Sequence, residues 1–261
     1  MIALNHLSYT KNGKRIIDEI NVEFSVGQVH AIMGPNGAGK STVLNSIGGL
    51  IADYSGDIQW KNKNITKYTS IELAQQRAYL TQQQNLAFPL TVLEVIEAGR
   101  FPFYTSVASA RDQAIIEEMI SLFKLETFLS RTYNTLSGGE KQRVQFARVF
   151  AQAYNTNSEE EKMLLLDEPL SHLDISHQFE FLEITQEFTS KHNLVTMCVL
   201  HDLSLAHLYT DTCLLLHHGK SLIHGASKQV LSDPITASVF DASIRSVLVE
   251  GTTHLIISKK H

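Results

Sequence analysis

The strongest constraint on this chain is nine residues long: Gly34-Pro35-Asn36-Gly37-Ala38-Gly39-Lys40-Ser41-Thr42. An apolar run, Val29-His30-Ala31-Ile32-Met33, leads into it, and Lys40 to Leu50 reads as a helix behind it. Glycines at 37 and 39 let backbone N–H groups turn inward where a Cβ would obstruct them. The helix presents its positive end to the same point. Lys40 adds a charge and Ser41 a hydroxyl suited to a divalent cation. Strand, glycine loop and helix together predict an α/β core that cradles a polyphosphate. A glycine-rich turn before an unrelated helix would not need both flanks.

Two further strands end on polar residues. Leu164-Leu165-Leu166-Asp167-Glu168 closes an apolar run with adjacent carboxylates, and His201 follows Leu194 to Leu200. Near-continuous apolar runs favour strands buried on both faces of a parallel sheet, whose ligands lie at the carboxyl ends. Asp167 there can hold Mg2+, and Glu168 can polarise an attacking water. His201 can hold a terminal phosphate and that water. Leu136-Ser137-Gly138-Gly139-Glu140 opens a helix carrying Val144, Phe146, Ala147, Val149 and Phe150. It is a second anion-binding helix start. One nucleotide does not need two such starts from one chain, so Ser137, Gly138 and Gly139 are expected to serve the ATP of a second copy.

The rest of the chain sets the frame. Residues 1–30 read as strands broken at Asn12-Gly13, residues 56–67 as a strand pair with turns, and 71–80 as a short helix and a strand. Apolar spacing of three and four over 91–152 predicts a helical lobe, 86–155, inserted into a core made of 1–85 and 156–261. Tyr154 to Lys162 reads as a polar surface loop, and the tail from Ser246 as a hairpin around Glu250-Gly251. The Lys11, Lys14, Arg15 cluster reads as a solvated turn, and His217-His218 as unremarkable surface. With 261 residues and a net charge of −5, the chain has no broad basic field for nucleic acid. Cys198 and Cys213 sit in apolar stretches and are expected to be buried, reduced thiols, as suits a cytosolic protein. Neither a signal peptide nor an apolar run of about 18 residues is expected.

These motifs, in this order, resemble the ATP-binding-cassette ATPases along the whole chain. The resemblance implies a P-loop NTPase core with a mainly parallel sheet, an N-terminal antiparallel β subdomain and an inserted α-helical subdomain. It implies ATP and Mg2+ as ligands. Tyr9 would stack on adenine, Gly34 through Thr42 would bind phosphates, and Asp174, in Ser171-His172-Leu173-Asp174, would act across a dimer. Ser41, Asp167 and Gln82 would hold Mg2+; Glu168, His201, Gln82 and Lys40 would serve hydrolysis. Gln83 and Gln84 follow Gln82, so that register stays open. His172 stands where the family usually has alanine.

Within the family the chain is similar to importer ATPases for iron chelates, heme and vitamin B12. Phe88-Pro89-Leu90-Thr91-Val92, Gly99-Arg100-Phe101-Pro102 and His201-Asp202-Leu203-Ser204-Leu205-Ala206 carry that likeness. The heme branch is nearest, through Ala147-Arg148-Val149-Phe150-Ala151-Gln152 and Leu173-Asp174-Ile175-Ser176-His177-Gln178; B12 and ferric-siderophore importers are the alternatives. The implied partners are a second copy, two transmembrane permease subunits and, indirectly, a periplasmic substrate-binding protein, at the cytoplasmic face of the bacterial inner membrane. Phe88, Phe101 and Phe103 are candidate lining for the cleft that receives the permease. A soluble cassette ATPase acting on DNA or ribosomes would usually carry coiled coils or basic extensions. A non-catalytic nucleotide sensor would not need Lys40, Asp167, Glu168 and His201 together.

Overall fold

β1 (Ile2–Lys11) and β2 (Lys14–Phe24) pair as a hairpin. Asn12 and Gly13, both at positive φ, close it as a two-residue turn whose twist suits the strands. The computed structural model describes residues 1–81, 88–156 and 160–260. β3 (Gln28–Met33) runs into the glycine loop, and α1 (Lys40–Ile47) leaves it. The helix stops three residues short of the expected Leu50. Gly49 is the reason: it holds φ 68, the left-handed conformation that ends helices, and Leu50 N folds back to donate to the Asn45 carbonyl at 2.9 Å. β4 (Ser55–Trp60) and β5 (Lys63–Asn64) follow, then α2 (Ser70–Gln76) and β6 (Arg77–Leu80).

The middle of the chain supplies α3 (Val92–Glu97), a 3-10 turn over Ala98–Phe103, α4 (Ala110–Leu122) and α5 (Gly138–Ala153). Capping boxes open α2, α3, α4 and α5, with Thr69, Thr91, Ser109 and Ser137 each meeting an acidic residue three positions on. β7 (Lys162–Asp167), α6 (Ile175–Lys191), β8 (Leu194–Val199) and α7 (Leu203–Tyr209) come next. β9 (Thr212–His217), β10 (Lys220–Ala226), α8 (Ser227–Ser232) and α9 (Pro234–Val239) follow, and β11 (Ala242–Val249) and β12 (Thr252–Lys259) form the tail hairpin. That hairpin begins four residues before the expected Ser246.

Among the described residues the strands form three sheets. β2-β1-β4-β5 is antiparallel; β10-β9-β3-β8-β7-β6 is parallel except for β10; β11-β12 stands apart. β7 and β8 are buried at every position. Strand alternation sends Met163 and Leu165 into one core, with Ile2, Phe24 and Trp60, and Leu164 and Leu166 into another, with Val92, Phe146 and Leu182. The first core lies against the N-terminal sheet. In the second, the Phe146 ring stacks on Phe181 at 3.8 Å, and Phe150 packs against Phe123, Phe181 and Phe188.

Buried polar groups tie α5 to its surroundings. Arg100 pairs with Asp112 at 2.9 Å, donates to the Ala151 carbonyl at 2.8 Å, and lies over the Phe103 ring. Lys162 sits near the same ring at 4.6 Å and donates to the Tyr154 carbonyl. This corrects two expectations. Lys162 is a buried strand residue, with burial pulling its ammonium down to about 8, and Phe103 is covered by two cations. Cys198 and Cys213 are buried free thiols, pushed up by burial. No helix among the described residues is long and apolar enough to cross a membrane.

Candidate nucleotide site

Strand order assembles the site. β3, β8 and β7 are neighbours in the sheet, and their register is level at the carboxyl ends: Ile32 pairs with Val199, and Val199 with Asp167. The residues following each strand therefore meet although they are far apart in sequence. Gly34–Thr42, Asp167-Glu168 and His201 converge on one edge of the sheet, where open parallel sheets bind ligands.

At the loop, Gly39 holds φ 102, and a Cβ there would come within 2.6 Å of Ile17 Cγ2. Only glycine fits that turn. The Lys40 ammonium donates to the carbonyls of Gly34 at 2.8 Å and Pro35 at 3.0 Å, which keeps it inside the loop. Burial lowers its pKa, while the charges of Glu168 and Asp167 act the other way. The Ser41 hydroxyl donates to Asp167 Oδ1 at 3.0 Å. Burial raises the Asp167 carboxyl above the ordinary range, against the Ser41 hydrogen bond that favours its ionised form. Glu168 Oε1 lies 2.8 Å from His201 Nε2. Glu168 holds φ 52, a left-handed conformation costly for a residue with a side chain. Ser171 Oγ donates to the Glu168 carbonyl at 2.6 Å and pins the turn.

A cavity of about 860 Å³ opens over these groups. Asn36, Gly37, Gly39, Lys40, Ser41, Thr42, Glu168 and His201 line one part of it; Lys14, Arg15, Ile16 and His218 line the rest. Sequence alone does not bring these last four to the site: Lys14 and Arg15 read as a solvated turn and His218 as unremarkable surface. They meet because the β9–β10 turn docks on β2 and the loop: Asp18 N donates to the Gly219 carbonyl at 2.8 Å, and Gly219 N to the Ala38 carbonyl at 3.2 Å. No local signal in either segment announces that contact.

The other expected residues lie elsewhere. Tyr9, expected at the adenine, does not line this cavity; it pairs across the hairpin with Ile17 and packs on the buried cluster of the N-terminal sheet. Ser137 caps α5, its Oγ accepting from Glu140 N at 3.3 Å. Gly138 borders a second, smaller depression with Thr81, Tyr133, Lys141 and His172, and a Cβ on Gly138 would stand 3.5 Å from the His172 Cβ. Asp174 caps α6 and pairs with His177 Nδ1 at 2.8 Å. Gln142 links α5 to the carboxylate strand by donating to the Pro169 carbonyl at 2.7 Å. Gln82, Gln83 and Gln84 lie outside the described residues.

A glycine-built anion cradle, a captive lysine, a hydroxyl beside a buried carboxylate, and a second carboxylate braced by an imidazole suit phosphoanhydride hydrolysis. Comparison with known proteins agrees. Residues 17–171 match the profile of a family described as ABC transporter. The chain belongs to the ABC transporter family. Two relatives named hemin import ATP-binding protein, from Agrobacterium fabrum and a Chelativorans species, are each 37% identical to it. The first alignment covers 92% of this chain and 91% of the relative, the second 98% of both. The dimeric structure of a bacterial ABC transporter cassette is 26% identical, with a TM-score of 0.75 over 88% of this chain and 100% of that one. A chain from an inward-facing ABC transporter described as of metal-chelate type shares the fold, with a TM-score of 0.81 at 19% identity over 100% of this chain and 97% of that one. The expected α/β cassette fold is thus the observed one, and the chain is a nucleotide-binding ABC ATPase.

Proposed function

We propose that this chain energises the import of hemin, hydrolysing ATP with Mg2+ on behalf of a membrane permease. The alignment with hemin import ATP-binding proteins over 98% of both chains carries the choice of substrate. The braced Glu168 supports the chemistry.

Lys40 and the loop N–H groups bind the β- and γ-phosphates. The Ser41 hydroxyl and Asp167 carboxylate, 3.0 Å apart, are the hard oxygen donors that suit Mg2+, which would offset phosphate charge when bound. Glu168 accepts a proton from water as the water oxygen bonds to the γ-phosphorus. The bond from that phosphorus to the bridging oxygen breaks, and ADP and phosphate leave. His201 holds the Glu168 carboxylate in place. Gln82 belongs to the same reading as a contact to Mg2+ and the permease.

Two copies are inferred to act together on two permease subunits at the inner face of the membrane, served by a periplasmic binding protein. The helix start at Ser137 supports this, since it borders a depression separate from the phosphate cavity and suits a partner's ATP. Phe88 and Phe101 are 73% and 58% exposed, as a permease-facing surface would be.

The test is growth of an iron-starved host that has a hemin permease and binding protein but no ATPase for them. Wild-type chain should restore growth on hemin, and Glu168→Gln should not. Failure on hemin with rescue of a vitamin B12 or ferric-siderophore permease would overturn the substrate.

A further inference from the structure

We propose that Arg15 covers the base of the bound nucleotide, supplying as a planar cation the stacking surface that no Phe, Tyr or Trp of the cavity lining provides. The inference rests on the nucleotide reading of the cavity and extends it to base recognition.

The cavity has a chemically distinct far wall. Lys40 and the loop fix where a polyphosphate lies. A nucleoside attached to it must extend toward Lys14, Arg15, Ile16 and His218, the remaining lining residues. No Phe, Tyr or Trp is among them. Tyr9 is half-buried, packed against the N-terminal core opposite Ile17, and does not line the cavity. A purine left without a stacking partner would forfeit the contact that aromatic-lined sites give each base.

Of the four, only Arg15 combines a flat face with a fixed anchor. Its Nε lies 3.1 Å from Asp18 Oδ1. Asp18 is itself tied to the β9–β10 turn, through Lys220 Nζ at 3.5 Å and through its backbone N–H to Gly219. That turn carries His218, so the two sides of the wall are joined beneath the space between them. Guanidinium groups are weakly hydrated, planar and stack on bases, whereas lysine is a point charge with no face to offer. Lys14 therefore cannot substitute. The His218 ring is already packed against His217, with centroids 4.0 Å apart. Ile16 offers an apolar side chain but no plane.

The experiment compares ADP with inorganic pyrophosphate, both with Mg2+, by titration calorimetry on the full chain. Neither probe is consumed, and only ADP has a base. Arg15→Ala and Arg15→Lys should each weaken ADP binding roughly 3- to 30-fold, the range for a cation over a π system. Arg15→Tyr should recover most of the loss. Pyrophosphate affinity should be the same in all four proteins. Arg15 lies at the surface, so melting temperatures should match and exclude misfolding. ADP binding by Arg15→Lys equal to wild type, or an equal loss for pyrophosphate, would make Arg15 a phosphate contact and overturn the proposal. Unchanged ADP affinity in Arg15→Ala would overturn it as well. If wild-type chain bound neither probe, the nucleotide reading itself would fall.

Discussion

At the scale of single residues, Glu168 joins backbone strain to the chemistry proposed for the site. A left-handed φ on a residue with a side chain costs of order 1–3 kcal/mol and is kept where the surroundings over-determine it. Here the Ser171 hydroxyl and the His201 ring do so. Glu168→Gln keeps the shape and removes the base, so kcat should fall roughly 10²- to 10⁴-fold while nucleotide affinity persists. Steady-state hydrolysis beside equilibrium ATP binding checks this; a wild-type kcat would remove Glu168 from the role. A second residue governs acid sensitivity. His30 is buried, with Nδ1 at 2.7 Å from Thr212 Oγ1 and Nε2 at 2.8 Å from the Ser25 carbonyl. Burial pulls its pKa from 6.5 to about 4. The unfolded chain therefore binds the proton first as pH falls, and stability is lost between about pH 6.5 and pH 4. From pH 8 to pH 5 the loss should be about 2 kcal/mol from this group. Urea midpoints at the two pH values should differ less in His30→Gln than in wild type. The phosphate loop and the carboxylate pair were legible in the sequence because each is local and carries its own spacing. Lys14, Arg15 and His218 were not, since a hairpin turn some 200 residues away brings them together.

At the scale of elements, the join between the 3-10 turn, α4 and α5 depends on charge buried among apolar groups. Asp112 both pairs with Arg100 and closes the capping box of α4 with Ser109. Asp112→Ala would leave a buried guanidinium with only the Ala151 carbonyl and the Phe103 face. Breaking a buried pair from one side costs about 3–5 kcal/mol. Thermal unfolding should show a loss of that order, and Arg100→Met/Asp112→Leu together should lose less than Asp112→Ala alone. A shift below about 1 kcal/mol would mean that water reaches the pair. Strand positions read well from sequence because the middles of β7 and β8 are near-continuous apolar runs. The end of α1 reads too late from sequence, although Gly48-Gly49 is itself a local stop signal whose second glycine takes the left-handed conformation. Lys162 reads from sequence as the end of a polar loop because its partners, the Phe103 ring and the Tyr154 carbonyl, are tertiary neighbours.

At the scale of the whole molecule, two helix starts fit for phosphate sit at separate depressions, one behind Lys40 and one behind Ser137. If each ATP is shared between two copies, Lys40→Ala and Ser137→Arg damage every site in their own homodimers. In a mixed dimer both lesions fall on one site and leave the other whole. Mixing the two inactive proteins should therefore recover a fraction of wild-type hydrolysis, read by phosphate release against mixing ratio. No recovery at any ratio, with specific activity independent of concentration, would point to a self-sufficient monomer. The docked β9–β10 turn has a practical consequence for anyone altering this chain. A Cβ at Gly219 would come within 2.5 Å of the Ile16 carbonyl, so the turn cannot lengthen or swing without moving β2 and the phosphate loop. Epitope tags, fluorescent inserts or new chain ends belong at Glu250-Gly251, where a Cβ on Gly251 would meet nothing within 4 Å. Placed at 217–220, the same insert would act as an inhibitor of its own host.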